Sequence, residues 1–160
     1  MLLNPRKAFN LKNPIHLLAL GFGTGLAPKA PGTAGTLVGI PFYLLAAPLH
    51  GMAYLGVVLL LFAAGVLICD QAARDAGVHD HPAIVWDEVV GFMLAMLLIP
   101  PHWGWILAGF LAFRFFDVLK PWPIGWLDRR VTGGLGIMLD DMLAGLYAAA
   151  VLHGARLLLA

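Results

Sequence analysis

Long apolar stretches separated by short polar segments dominate this chain. No charged residue occurs between Ala30 and Cys69, or between Val89 and Phe113. Uncharged stretches of this length are typical of helices in a bilayer, whose hydrocarbon core of about 30 Å requires about 20 apolar residues. We therefore predict an all-α, polytopic helical membrane protein with about five long helices. The predicted helices cover residues 34–49, 51–69, 87–99, 103–119 and 137–159.

The N-terminal part of the chain differs from these helices. Residues 1–13 form a basic flank with Arg6, Lys7 and Lys12, and the apolar run at 15–26 is too short to span. A signal peptide would be followed by a soluble domain, whereas here more apolar segments follow. We expect a short interfacial or re-entrant helix, within a single domain covering residues 1–160.

A segment rich in glycine and proline follows at residues 21–36. Thr33 is a candidate N-cap for a helix that begins at Ala34. The free amides at such a helix start bind anions, and Lys29 lies just upstream. The alternative is a cluster of glycines for helix packing with an ordinary cap. The segment lacks the P-loop pattern, so we do not expect nucleotide binding.

Composition and charge support the membrane assignment. The chain is 61% hydrophobic and only 12% charged, with a mean hydropathy of +0.85. A net charge of +1 without a basic stripe argues against a nucleic-acid partner. Cys69 is the single cysteine, which excludes an intrachain disulfide and a zinc site built on cysteines.

The charges indicate one orientation in the membrane. If the five long helices span, nine of the ten Lys and Arg residues lie near one side, and only Arg156 lies opposite. The positive-inside rule makes that side cytoplasmic. All nine acidic residues lie near the same face. Carboxylates gathered at one face suit a divalent cation, and Mg²⁺ usually keeps water ligands for a phosphate partner.

Two acidic pairs are the strongest candidates for a metal site. Asp87 and Glu88 open one predicted apolar helix, and Asp140 and Asp141 lie in the first turn of another. Acidic residues at a helix start can simply complement the helix dipole. Ionisable groups at membrane depth are costly, however, and usually functional. The nearby histidines at positions 79 and 81 suit a metal clamp in a loop, but we expect solvated loop residues there.

A third group of polar residues precedes a proline break. Arg114, Asp117 and Lys120 recur every third residue, so a helix places them roughly along one face. Pro121 and Pro123 then end that helix. Arginine and lysine side chains supply the phosphate contacts that carboxylates do not.

Five sequence runs together resemble the phosphatidylglycerophosphatase A family. They are NPIHLLALGFGTGLAP, APGTAGTLVGIPF, GVHDHPAIVWDEVVG, FRFFDVLKPWPIGWLDR and GGLGIMLDDMLAG, in that order between Asn13 and Tyr147. The resemblance implies a bacterial, multi-pass, magnesium-dependent enzyme of the inner membrane that dephosphorylates phosphatidylglycerophosphate to phosphatidylglycerol. It implies the phospholipid as substrate, and it implies no protein partner. It points to Thr33, Asp87, Glu88, Asp117, Lys120, Asp128, Asp140 and Asp141.

The roles of these residues are our own assignment. We expect Mg²⁺ at Asp87, Glu88, Asp140 and Asp141. We expect phosphate or substrate contacts from Thr33, Lys29, Arg114 and Arg129. We expect catalysis by Asp117 with Lys120, with Asp128 as the alternative to Asp117. The division between metal-binding and catalytic carboxylates stays open, as do the number of metal ions and the choice between direct water attack and an aspartyl-phosphate.

Rival functions predict features that differ from those of this chain. A multi-pass transporter predicts inverted repeats and charges near the bilayer midplane. Here the charges lie near one end of the predicted helices. Other membrane enzymes that process lipid phosphates carry DGxxAR or KxxxxxxRP motifs, which this sequence lacks.

Overall fold

The computed structural model describes residues 5–160, with side chains from Lys7 onward, and every regular element in that range is helical. The predicted all-α class is confirmed. The first four residues of the predicted basic flank and the side chain of Arg6 lie outside the described part. A 3-10 turn covers Thr24–Leu26. The α-helices are α1 Pro5–Ala8, α2 Pro14–Ala19, α3 Pro31–Ala46, α4 Gly51–Ala76, α5 Trp86–Ala95, α6 Trp103–Leu119, α7 Ile124–Arg130 and α8 Gly133–Leu159.

Within the described range, two helices are long and apolar enough to cross a membrane. They are α4, with 26 residues, and α8, with 27. The other apolar helices are shorter, with 16 residues in α3, 10 in α5 and 17 in α6. The bounds of α6 agree with the prediction, whereas α4 continues past its predicted end at Cys69. The five-helix crossing pattern stays a prediction.

Helix α5 forms the centre of the fold. All of its side chains are buried except that of Glu88, which is slightly exposed, and it contacts α3, α4, α6 and α8. It ends at Ala95 rather than at the predicted residue 99. Side chains from α3 and α8 contact the carbonyl oxygens of the turn that follows. Tyr43, His153 and Arg156 contact the carbonyls of residues 99, 97 and 98 at 2.8–2.9 Å.

Glycines bring α5 and α8 into close contact. A Cβ atom on Gly145 would lie 2.4 Å from the carbonyl oxygen of Gly91, and one on Gly91 would lie 2.7 Å from that of Asp141. A Cβ on Gly109 of α6 would lie 2.3 Å from the sulfur of Met96. Real Cβ contacts are longer, so a larger residue at Gly91 or Gly145 requires the backbones to shift, whereas at Gly109 the flexible Met96 side chain must move aside. The predicted packing through Gly91, Gly109 and Gly145 is confirmed.

The N-terminal segment supports the loop that precedes α5. The predicted run at 15–26 is α-helical only up to Ala19, in the short helix α2 (Pro14–Ala19). The backbone N–H of Val85 donates to the carbonyl of Ala19 at 2.8 Å. A Cβ on Gly25 would lie only 1.9 Å from the carbonyl oxygen of Ala83. This contact fixes residues 83–85, and therefore the start of α5.

The two histidines of this loop have different environments. His79 is exposed, as predicted. The prediction of a solvated residue is wrong for His81, which is buried and packs edge-on against Phe9. Its Nδ1 accepts the backbone N–H of Ala83 at 3.1 Å. Burial lowers the pKa of His81, although the neighbouring Asp80 opposes the shift. His81 therefore serves to shape the loop.

Candidate functional site

A cavity of about 350 Å³ lies where the start of α3, the start of α5, the end of α6 and the third turn of α8 meet. The loop before α5 forms part of its wall. Charged side chains line much of it. They are the carboxylates of Asp80, Asp87, Glu88, Asp117, Asp140 and Asp141 and the cations of Arg114 and Lys120. One cavity therefore brings together the two acidic pairs and the group of Arg114, Asp117 and Lys120, although they are separate in sequence.

Three carboxylates form the floor of this cavity. One oxygen each from Asp87, Glu88 and Asp141 lies within 4.8 Å of the others, and we name this group the carboxylate triad. Among the described residues, Asp87 Oδ1, Glu88 Oε2 and Asp141 Oδ2 are buried without a hydrogen-bond partner. Buried carboxylate oxygens are costly unless they are paired or bind a metal. The triad therefore fits a hard divalent cation that takes oxygen ligands.

Close packing of α5 on α8 assembles the triad. Asp87 and Glu88 lie in the first turn of α5, as predicted. The same prediction is wrong for Asp140 and Asp141, because α8 begins at Gly133 rather than at residue 137 and continues for about two turns before reaching them. Gly91 and Gly145 each follow the acidic residues by about one turn. Since the backbones touch at these glycines, the carboxylates one turn earlier meet across the interface.

Arg114 connects the triad to α6. Its guanidinium pairs with the carboxylate of Asp117 one turn later, and its NH1 atom lies 3.7 Å from Glu88 Oε1. The side chains of Arg114 and Asp117 are largely buried, with 19% and 10% of their surfaces exposed. The predicted shared helix face of Arg114 and Asp117 is confirmed. A buried guanidinium beside a cavity is suited to clamping two oxygens of a phosphate.

Lys120 joins three parts of the chain. It terminates α6 in the left-handed region, with φ +47°, and its ammonium pairs with Asp140 of α8. The same nitrogen lies 3.6 Å from Asp128 Oδ1 of α7. Burial alone would lower the pKa of Lys120, but the carboxylates of Asp140, Asp141 and Asp128 outweigh it and raise the pKa. Lys120 is therefore a stable positive charge in the cavity wall.

The start of α3 also faces the cavity, but not through Thr33. The helix begins at Pro31, with Ala30 as its cap, so the prediction that Thr33 caps a helix from Ala34 is wrong. Proline fits the first helical position because its φ is fixed and it has no N–H to satisfy there. Gly32 approaches the charged groups most closely. A Cβ there would lie 2.3 Å from Glu88 Oε1 and 3.0 Å from Arg114 NH1.

Four predicted site residues are not among the side chains that line the cavity. Lys29 and Arg129 are exposed and Thr33 is half-buried. Asp128 reaches the cavity only through its contact with Lys120. The functional roles assigned to these residues stay predictions.

Two lining residues were missed by the sequence reasoning. Asp80 lies between the two histidines that were considered, and Gly32 directly precedes the supposed cap. The signal for Asp80 was its position seven residues before the acidic pair. For Gly32 the signal was the Pro-Gly dipeptide, which can open a helix as well as break one.

Known proteins resemble this chain over most of its length. The family model described as Phosphatidylglycerophosphatase A matches residues 17–156. Phosphatidylglycerophosphatase A of Escherichia coli (strain K12) is 48% identical over 149 residues, covering 92% of this chain and 87% of the relative. Phosphatidylglycerophosphatase A of Haemophilus influenzae is 49% identical over 150 residues, covering 92% of each chain.

A more distant relative carries a different name. This Bacteroides thetaiotaomicron protein, provisionally named a phosphatidylinositol-3-phosphatase, is 35% identical over 149 residues, covering 88% of this chain and 92% of its own. No solved structure matches the chain. The family model spans most of the sequence, and two relatives are nearly half identical over almost their whole length. The chain belongs to the phosphatidylglycerophosphatase A family.

Proposed function

We propose that this protein is a Mg²⁺-dependent phosphomonoesterase that converts phosphatidylglycerophosphate to phosphatidylglycerol. The observation that carries the proposal is the carboxylate triad, with three unpartnered buried oxygens beside Arg114 and Lys120 in one cavity. That combination of a cation site and phosphate-binding cations suits phosphoryl chemistry. The relatives that are 48% and 49% identical bear the name of this activity and support the choice of substrate.

Asp87, Glu88 and Asp141 would hold the magnesium ion. When bound, it would offset the negative charge that develops on the phosphoryl oxygens. Asp140 was predicted as a fourth ligand, but its carboxylate pairs with Lys120 and its Oδ1 accepts the Asp141 N–H at 3.0 Å. We therefore assign Asp140 to orienting Lys120 and the backbone that carries Asp141.

Three groups would bind the terminal phosphate of the substrate. Arg114 of α6 and Lys120 at the end of that helix supply positive charge, with Arg114 close to the start of α3. The N–H of Gly32 lies in the first helical turn, where backbone amides are unpaired and the helix dipole favours anions. Glycine at this position lets the backbone approach both Glu88 and Arg114. A phosphate between these groups would adjoin the triad.

Asp117 is placed to act on the nucleophile. It is buried, lines the cavity and is oriented by Arg114. In the route by direct hydrolysis, a water oxygen bonds to phosphorus while its proton passes to Asp117. The bond between phosphorus and the headgroup glycerol oxygen breaks, and that oxygen takes up a proton. In the covalent route a carboxylate oxygen of Asp117 bonds to phosphorus while the bond to the glycerol oxygen breaks and that oxygen takes up a proton. Water then cleaves the aspartyl-phosphate, which restores Asp117 and releases inorganic phosphate.

Phosphate release from purified protein in detergent tests the function. We expect release from phosphatidylglycerophosphate with Mg²⁺, none with EDTA, and much slower release from phosphatidic acid or glycerol phosphate. Equal rates on all three compounds would contradict the substrate assignment, and no release would contradict the function. Rapid-quench trapping of a phosphorylated protein that is lost in Asp117→Asn would select the covalent route.

We also propose a multi-pass arrangement in the bacterial inner membrane with the cavity at the cytoplasmic face. The apolar lengths of α4 and α8 and the distribution of Lys and Arg support it. Cys69 is buried, so a single introduced cysteine gives a clean labelling signal. Asp128→Cys should be protected from a reagent restricted to the periplasm. Reaction with that reagent in intact cells would reverse the orientation.

A further inference from the structure

Helix α6 carries a continuous apolar face whose side chains are more than half exposed. Its residues recur at intervals of four, four and three, which keeps them on one side of a helix. We name this face the α6 stripe. It consists of Leu107, Leu111, Phe115 and Val118, with exposed fractions of 61, 59, 58 and 71%.

Exposed tryptophans mark both ends of this stripe. Trp103 at the start of α6 is 70% exposed, and Trp122 just after its end is 80% exposed. The 17 residues of α6 extend about 25 Å at 1.5 Å per residue. Tryptophan is enriched at the two membrane–water interfaces. The stripe therefore has the length and the flanking residues of a surface that faces acyl chains, with Val118 near the interface.

The stripe ends at the wall of the catalytic cavity. Val118 belongs to the stripe by its exposure and also lines the cavity. Asp117 and Arg114, on the inward side of the same helix, reach the triad. On another part of the wall, Asp80 is exposed and acidic. An anionic phosphate approaching past Asp80 meets a like charge, whereas an approach past Val118 does not.

We propose that the α6 stripe is the docking surface for an acyl chain of a lipid phosphomonoester whose phosphate enters the cavity past Val118. This inference rests on the proposed function, because the same cavity must receive the phosphate. The stripe is continuous with the cavity at one residue, so a single lipid can occupy both at once. The glycerol backbone of that lipid then lies at Val118, at the level of the interface. Chain contacts along the stripe contribute to the binding of long-chain substrate and not to that of a short-chain analogue.

A pair of matched variants tests this docking surface. Phe115→Ala removes a ring from the α6 stripe one turn away from the cavity, and Leu60→Ala removes a side chain at a 72% exposed position of α4. Two substrates are compared, dipalmitoyl phosphatidylglycerophosphate in vesicles and the water-soluble dihexanoyl compound. We expect Phe115→Ala to lower kcat/KM for the long-chain substrate by about tenfold, the scale of one lost apolar contact of side-chain size. The short-chain rate should change little, and Leu60→Ala should leave both rates near those of the parent.

Two outcomes would overturn the docking surface. One is a parental long-chain rate in Phe115→Ala, and the other is an equal loss on both substrates, which would place the effect inside the cavity. If Phe115→Ala does not fold, Leu111→Ala provides the same comparison one turn farther from the cavity.

Photo-cross-linking separates the docking surface from the proposed function. Phosphatidylglycerophosphate with a diazirine in one acyl chain should label residues 107–118 of the parent protein in preference to the exposed face of α4. Equal labelling of both helices would contradict the docking surface even in an active enzyme. If the parent releases phosphate from neither substrate, the proposed function fails, and the labelling pattern still decides where the chain binds.

Discussion

Replacing Gly145 with alanine tests whether close packing of α5 on α8 sets the geometry of the site. The new Cβ would lie 2.4 Å from the carbonyl oxygen of Gly91, whereas ordinary contacts begin at 3.4 Å. The two helices must therefore separate locally by about 1 Å, and misplacement of that size can lower an enzymatic rate by about 100-fold. Asp141 lies one turn from the contact, so separating the helices should increase the distances between Asp141 and the carboxylates of Asp87 and Glu88.

Stability should respond differently from activity in this variant. Alanine favours a helix interior over glycine by about 1 kcal/mol, which offsets part of the cost of the separation. We therefore expect Gly145→Ala to fold, with a modest change in thermal unfolding, while phosphate release falls by about 100-fold and the Mg²⁺ concentration for half activity rises. The measurements are unfolding temperature in detergent and phosphate release across a Mg²⁺ titration.

Gly154→Ala is the matched control on the same helix. Among the described residues, no atom lies within 4 Å of a Cβ built at Gly154. This variant gains the same helix propensity without a clash, so its activity and Mg²⁺ dependence should match those of the parent. Parental activity in Gly145→Ala would refute the claim that this contact positions the triad. Equal losses in both variants would show that the effect arises from alanine itself.

Three further variants test individual side chains. Asp141→Asn should lower both activity and apparent Mg²⁺ affinity, with partial recovery at high Mg²⁺; full activity at ordinary Mg²⁺ would remove Asp141 from the metal site. Lys120→Ala should reduce kcat while the protein stays folded; because its pKa is raised, Lys120 stays charged through neutral and moderately alkaline pH, so a parental rate at pH 8 would contradict a phosphate role. Asp70 Oδ1 accepts the N–H of Gly134 at 3.0 Å at the start of α8, so Asp70→Ala should destabilise the protein by about 1 kcal/mol, as the loss of a helix cap does; an unchanged unfolding midpoint would refute that role.

The sequence predicted those features that depend on local pattern. Proline after residue 120 and an uncharged run before Arg114 located α6 correctly, because both signals act on the segment itself. The uncharged run that follows Glu88 is another such local signal, and it placed Asp87 and Glu88 correctly in the first turn of α5. The three-residue spacing of Arg114 and Asp117 predicted their common face, and the structure brings that face to the two acidic pairs.

The errors arise where distant contacts decide the outcome. Helix α8 starts at Gly133 although two adjacent glycines suggest a break. Asp70 accepts a hydrogen bond from the backbone N–H of Gly134, and α4 lies too close to Gly134 for any side chain to fit there. A Cβ on Gly134 would lie 1.9 Å from the carbonyl oxygen of Val66. The early end of α5 depends on side chains from α3 and α8. Asp80 was missed because its loop is positioned by the N-terminal segment, which periodicity does not reveal.

The clustering of the charged residues also has a practical consequence for protein engineering. The turn between α3 and α4 follows the end of α3 that is remote from the cavity, and its residues Pro48, Leu49 and His50 are exposed. A fusion partner or an epitope inserted there would leave the cavity untouched and would add mass for single-particle imaging of this small protein. The turn after α5, at the same end, is a poor insertion point because its carbonyls at residues 97–99 are bound by α3 and α8 side chains.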